Sequence, residues 1–417
     1  MAQTHPRTAE PLQRRERTRI IGIDMARALA LFGMMSTHLL ADSVDGETVT
    51  WWQQLSGGRA AALFALLAGV SLALVTERAA SAPRNPDPQI EPEVTPRRVA
   101  LKAARAGVAV RAGVIGLLGL VLGGLDTGIA VILTYYAVLF VLGLPFLGWG
   151  WRALAGLAAG WAVLAPVLSH LVRPYLPERL GASPSLDFLI LQPVHLVTEL
   201  LLTGYYPAIP WLAYLLAGLA IGRLPLHRMG VAVSLAVSGA VLAVVAWGSS
   251  WLILHRLGGL EHLRATAPDS APFDFMAVDQ ALVRGTFGTT PTTSWWWLTT
   301  SAPHSSTAFD LLHTIGSAML VIGLCLLASH LGPRVSATLF AAGTMTLTLY
   351  SLHLVALAIG VGPPRDTLAL FGWHVAGAVL FGMAWKATVG RGPLEAATRS
   401  WSDLARKTVL TLNRPPG

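Results

Sequence analysis

Charge is scarce in this chain of 417 residues. Asp, Glu, Lys and Arg together make up 12%, where a soluble domain carries about one quarter. With 53% hydrophobic residues and a mean hydropathy of +0.57, that shortage excludes an ordinary soluble globule. Cysteine is nearly absent as well. Cys325 stands alone in an apolar run, so no intrachain disulfide and no paired-cysteine metal site can form. The chain also lacks a Walker A loop, a glycine fingerprint after a strand and a His-Glu-x-x-His segment. These absences remove ATP-driven pumping, dinucleotide chemistry and a zinc hydrolase, and no metal site is expected.

What is present is repeated apolar sequence. Runs of 18 or more residues predict an all-α, polytopic integral membrane protein. Candidate spans cover 20–41, 58–76, 100–124, 128–148, 152–172, 199–222, 229–254, 307–329, 336–360 and 368–389, about ten transmembrane helices. The net charge of +8 forms no dense basic tract, which speaks for membrane topology and against nucleic acid. Placing both termini in the cytoplasm puts Arg78 to Arg111, Arg152, Arg223, Arg228 and Arg334 on the inner side. Arg14, Arg15, Arg17 and Arg19 precede an apolar run, as in a signal peptide. Asp24 and Arg27 interrupt it, and an uncleaved first span is expected.

The organisation that follows is a cytoplasmic tail 1–19, a single transmembrane domain 20–389 and a cytoplasmic tail 390–417 holding a short amphipathic helix. A proline-rich cytoplasmic linker is expected at 77–98 and external loops at 173–198 and 255–305. Trp295, Trp296 and Trp297 in the last loop fit a membrane interface, with sugar stacking as the alternative.

Ionisable residues within spans are costly, so each demands a reason. Asp24, Arg27 and His38 share the first span. On a helix, Arg27 and His38 fall within about 20° of each other and Asp24 within about 60° of both. Along the axis Arg27 and His38 are roughly 16 Å apart, about half the hydrocarbon thickness. A polar track suits that spacing better than one buried ion pair. His38 can act as a base on an alcohol or amine. Arg27 can pair with Asp24 or hold a ligand's phosphate or thioester. Lys102, Arg105 and Arg111 are further candidates for cofactor phosphates, or ordinary positive-inside anchors. Thr346, Tyr350 and His353 occupy one helical face, and Asp310 and His313 lie one turn apart. Arg59 is an interface anchor or a contact for an external substrate. His374 reads as structural.

The opening Arg-Ile-x-x-x-Asp-x-x-Arg, followed by Ala-Leu-Ala-Leu-Phe-Gly-Met-Met, resembles the first helix of the transmembrane acyltransferase superfamily. That group includes heparan-α-glucosaminide N-acetyltransferase, the YeiB-like proteins and acyltransferase family three. Arg27 and His38, with ten residues between them, match the arginine-x-ten-histidine motif of the last. Residues Leu63 to Ser71, Tyr206 to Trp211, Gly343 to Thr348 and Gly392 to Glu395 resemble stretches of the first two. The resemblance implies acyl transfer, usually of acetyl, from cytoplasmic acyl-coenzyme A to a carbohydrate hydroxyl or amine across the plasma membrane. His38 would be the catalytic histidine, with Arg27 and Asp24 beside it. Arg27, Lys102, Arg105, Arg111, Thr346 and Tyr350 would serve the coenzyme, and Arg59, Asp310, His313 and His353 the acceptor. Two departures stand out. Ala28 follows Arg27 where many relatives have glycine. The heparan enzymes have asparagine at the His38 position and a catalytic histidine in the next loop, whereas residues 39–58 here contain none.

The expected partners are therefore the lipid bilayer and a carbohydrate or glycolipid acceptor, with homo-oligomerisation open. The competing readings are a secondary transporter using the same polar stripe and a structural partner in an envelope complex.

Overall fold

Residues 19–40, 49–83, 95–125, 127–177, 179, 183–266 and 278–413 are described by the computed structural model. Most of the tail 1–19, the middle of the linker 77–98 and parts of the loops 173–198 and 255–305 lie outside the described residues. Within them the chain is helical and contains no strand. The principal helices are α1 (Ile21–Leu39), α2 (Arg59–Ser81), α3 (Arg97–Gly123), α4 (Leu133–Gly143), α5 (Trp151–Val172) and α6 (Ala208–Gly222). They continue with α7 (Met229–Arg256), α8 (Ala308–Leu331), α9 (Thr346–Ala358), α10 (Leu368–Thr388) and α11 (Pro393–Leu412).

Among the described residues, six helices have the length and apolarity to cross a membrane: α2, α3, α5, α7, α8 and α10. A seventh results if Pro193–Thr203 and α6, which meet at a 52° bend, form one broken span. The expectation of about ten thus meets six or seven by these measures. α4 and α9 are apolar but short, and α1 has the length but carries Asp24, Arg27 and His38. The candidate span 336–360 divides into Pro333–Leu339, a 3₁₀ turn at Ala341–Thr344, and α9.

α6 is the centre of the bundle. Every residue of it except Ile209 is buried, and it packs between α2 and α5. Its contact with α2 is as close as backbones allow. A Cβ at Gly218 would stand 1.9 Å from the Leu66 carbonyl oxygen, and one at Gly69 would stand 2.3 Å from that of Leu215. Lipid tails are as apolar as leucine, so helix association in a membrane relies on such small-residue contacts. α7 and α8 form a second tight pair.

The break before α9 has a similar cause. Gly343 presses on α1, where a Cβ would lie 1.8 Å from the carbonyl oxygen of Asp24. The first N–H groups of α9 are then capped from α11. Glu395 Oε1 accepts from the Leu347 and Thr348 amides at 2.7 and 3.2 Å, and its Oε2 accepts from Thr348 Oγ1 at 2.6 Å. A carboxylate at a helix N-terminus satisfies orphan donors and the dipole together. Two of the motif-like segments, Gly343 to Thr348 and Gly392 to Glu395, therefore hold each other beside α1. The tail helix is long, 20 residues, and lies along α3.

Candidate functional site

The polar stripe of α1 is built as a connected set. The buried carboxylate of Asp24 accepts from Arg27 Nη1 at 3.0 Å and from Arg19 Nε at 2.5 Å. Arg27 Nη2 then donates to Ser71 Oγ on α2 at 2.7 Å. Asp24 thus orients Arg27 from below, and Ser71 fixes its other fork from the side. Ser71 closes the Leu63 to Ser71 segment, whose interest in sequence was its apolar order.

Arg27 faces a cavity of about 1030 Å³ bounded by α1, α2, α3, α4, α9 and α11. That volume stands at the upper end for small-molecule sites. Arg111, Thr346, Tyr136 and Tyr350 share the wall with Arg27. Tyr350 OH accepts from the Ile132 amide at 3.4 Å. Two buried polar atoms of the wall, Arg111 Nε and Thr344 Oγ1, have no hydrogen-bond partner among the described residues. Buried donors are rarely left unpaired, so a polar ligand that accepts hydrogen bonds fits here. Lys102 and Arg105 do not line the cavity. Both are exposed on α3, and Arg105 donates to the carbonyls of Leu144 and Pro145 at 3.1 and 3.3 Å.

His38 lies eleven residues beyond Arg27 on the same unbroken helix, outside the cavity wall. There it heads a chain of three imidazoles. His38 Nδ1 is 3.2 Å from His353 Nε2, and His353 Nδ1 is 3.1 Å from His374 Nδ1. The His38 and His353 rings stack at 5.4 Å. Each short contact requires one N–H and one lone pair. When His38 and His353 both carry Nδ1–H, the chain donates inward and leaves a lone pair on His38 Nε2. The opposite polarity puts a proton there. His374, which has no polar neighbour in sequence, is joined to the stripe through its contact with His353.

The remaining sequence candidates divide. Arg59 Nε donates to His313 Nε2 at 3.1 Å, and its guanidinium also donates to the Gln54 carbonyl. His313 Nδ1 is 2.9 Å from the Ala243 carbonyl, for which it carries the proton there. Asp310 is engaged in a helix cap. Its amide donates to Thr307 Oγ1 at 3.1 Å and its carboxylate accepts from the Ser306 amide at 3.0 Å. Arg59 and His313 therefore touch, while Asp310 starts α8 and His353 belongs to the imidazole chain.

A fourth histidine has no helical periodicity to single it out. His304 sits in the loop before α8 with a φ of 55°, a region costly for a side chain with a Cβ. Its ring is parallel to Trp211 at 6.4 Å and edges onto Tyr205 at 5.1 Å. It also lies within electrostatic reach of His38. Burial pushes the His304 imidazole down to about 4. Below the ordinary value near 6.5 the unfolded chain takes up a proton that the folded loop refuses until about 4. The stability that His304 contributes is therefore complete above pH 6.5 and falls between pH 6.5 and 4. Thermal unfolding in detergent across that window should show the fall. His304→Gln should lose less stability than the wild-type chain between pH 6.5 and 4, and parallel profiles would separate His304 from the acid sensitivity.

The residues matched by a family model coincide with much of this architecture. The model described as heparan-alpha-glucosaminide N-acetyltransferase, catalytic, matches residues 19–255. That stretch runs from Arg19 through α7 and includes Asp24, Arg27, His38, Ser71 and Arg111. Comparison with the curated proteins gives no match.

Proposed function

The chain belongs to the heparan-alpha-glucosaminide N-acetyltransferase catalytic family, and from that premise we propose a transmembrane acyltransferase with acetyl-coenzyme A as donor. The donor enters from the cytoplasm, and the acceptor is a hydroxyl or amine of a glycan or glycolipid outside the plasma membrane. The observation that carries this reading is the shared stripe of α1. Arg27 opens into a large cavity with unpaired donors, and His38, roughly 16 Å further along the helix, heads a histidine chain. A reactive thioester on a long flexible arm suits two stations so separated.

Bound donor supplies an already activated acyl carbon. Arg27, held by Asp24 and Ser71, supplies fixed positive charge for the arm or the nucleotide. Arg111 Nε and Thr344 Oγ1 supply the donors that the described residues leave unused. At the far station His38 Nε2 takes the proton of the acceptor hydroxyl or amine as that atom bonds to the acyl carbon. The C–S bond breaks, and the proton held on His38 passes to the departing sulfur, giving free thiol. His353 and His374 orient the imidazole and spread its transient charge. A base at His38 also answers the missing histidine of residues 39–58, because the site then needs none from that loop.

The test is thiol release. Purified protein given acetyl-coenzyme A and a panel of envelope glycans should liberate coenzyme A only with a competent acceptor. Proton-coupled solute flux without thiol release would replace this reading with that of a transporter.

A further inference from the structure

Helix α11 begins well after the matched span ends at residue 255, yet it closes one wall of the donor cavity. It is a polar, amphipathic helix. Arg399, Ser402, Asp403 and Arg406 line the cavity from positions i, i+3, i+4 and i+7, one face of the helix. Its seat on α3 is specific. A Cβ at Gly107 would fall 2.6 Å from Arg406 Cγ and 3.0 Å from the Ser402 carbonyl, so the arginine stem lies in a notch that only glycine leaves. Asp403 stands between the two cations, 3.3 Å from Arg399 Nε and 3.9 Å from Arg406 Nη1. Both guanidiniums keep exposed surface, 57% and 33% of their side chains. Arg78, from the end of α2, lines the same cavity, as does Arg391 at the entry to α11. The wall as a whole carries seven arginines against four carboxylates.

Arginines at a membrane surface are commonly topological anchors, which face lipid headgroups or water. These converge on one cavity from α1, α2, α3 and α11 and from the segments that lead into α1 and α11. A pantetheine arm is uncharged and does not call for so many cations, whereas phosphates match the guanidinium fork bidentately.

We propose that α11 is the nucleotide-recognition element of the donor site, with Arg399 and Arg406 gripping the phosphates of the 3′-phosphoadenosine diphosphate end. The chain thereby selects acyl groups carried on coenzyme A over those on a simple thiol or a bare pantetheine arm. This rests on the acyltransferase reading for its donor, but the nucleotide contact can be measured without turnover.

The variant is Arg399→Met with Arg406→Met, which retains the aliphatic stem in the Gly107 notch and removes the charge. Binding of adenosine 3′,5′-bisphosphate, which has no acyl arm, is measured by calorimetry on the full chain in detergent. The wild-type chain should bind it and the double variant should bind roughly tenfold to a hundredfold more weakly. In turnover, KM for acetyl-coenzyme A should rise by a similar factor with kcat within about twofold. KM for acetyl-pantetheine should not move, and the Lys pair at the two positions should restore part of the loss. A wild-type chain that ignores the bisphosphate overturns the proposal. So does a double variant whose KM rises equally for acetyl-pantetheine, since that marks damage to the wall. Bisphosphate binding by a chain that transfers no acetyl would leave the clamp standing and end the acyltransferase reading.

Discussion

Replacing His38 by alanine should lower acetyl transfer by roughly two to four orders of magnitude, the usual loss when a general base is removed. Donor binding should survive almost unchanged, because His38 stands outside the cavity that Arg27 and Arg111 line. The wild-type rate should also rise with pH through an imidazole titration, since only neutral His38 Nε2 accepts a proton. His353→Phe keeps a ring against His38 but removes the nitrogen that holds its tautomer. Its loss should be smaller and confined to kcat. Turnover and coenzyme affinity measured on the same preparations separate chemistry from folding. His38→Ala protein that folds, binds donor and transfers acetyl at the wild-type rate would end the assignment. Arg59 with His313 would then be the next pair to test.

The second large effect belongs to Arg27→Ala. This change removes the fixed fork between Asp24 and Ser71 and leaves Arg19 as the ion-pair partner of the buried Asp24 carboxylate among the described residues. Stripping one partner from a buried pair costs about 3–5 kcal/mol in general, and the Arg19 contact should keep the loss below that range. Coenzyme A affinity should fall at least tenfold, and calorimetry on folded variant protein measures it. Arg27→Lys should not rescue, because one ammonium cannot reproduce two planar contacts toward Asp24 and Ser71. Wild-type affinity in the alanine variant would reduce Arg27 to a structural ion pair.

The α1 stripe was legible because one helix carries all of it, and 3.6-residue periodicity alone places Asp24, Arg27 and His38 on one side. Partners from other helices were not. Ser71 ends an apolar segment, and nothing in that segment shows that it meets Arg27. His374 and His304 come into play through α10 and through a loop with no period at all. Spacing also could not rank Lys102, Arg105 and Arg111. It puts Lys102 and Arg111 about 180° apart on a helix, without saying which side faces a cavity. The division of 336–360 depends on Gly343 against the Asp24 carbonyl and on Glu395 capping from α11, contacts nearly 50 residues or more away in the chain. The number of membrane crossings is harder to read for the same reason. The candidate spans 128–148 and 336–360 are apolar along most of their length, but only Leu133–Gly143 and Thr346–Ala358 form their longer helices, and apolarity does not show where a helix breaks.

Sided acetyl transfer tests the central claim most directly. The protein is reconstituted into vesicles with a glycan acceptor sealed inside, and acetyl-coenzyme A labelled in its acetyl group is added outside. An impermeant thiol reagent, directed at a cysteine placed at the exposed Thr411, identifies the chains whose C-terminal helix faces out. If the donor cavity opens on that side, labelled acetyl should appear on the enclosed glycan while coenzyme A thiol accumulates outside. His38→Ala vesicles should show neither. Thiol release without labelled glycan in the lumen, or lumenal product formed equally well by His38→Ala, would contradict the account.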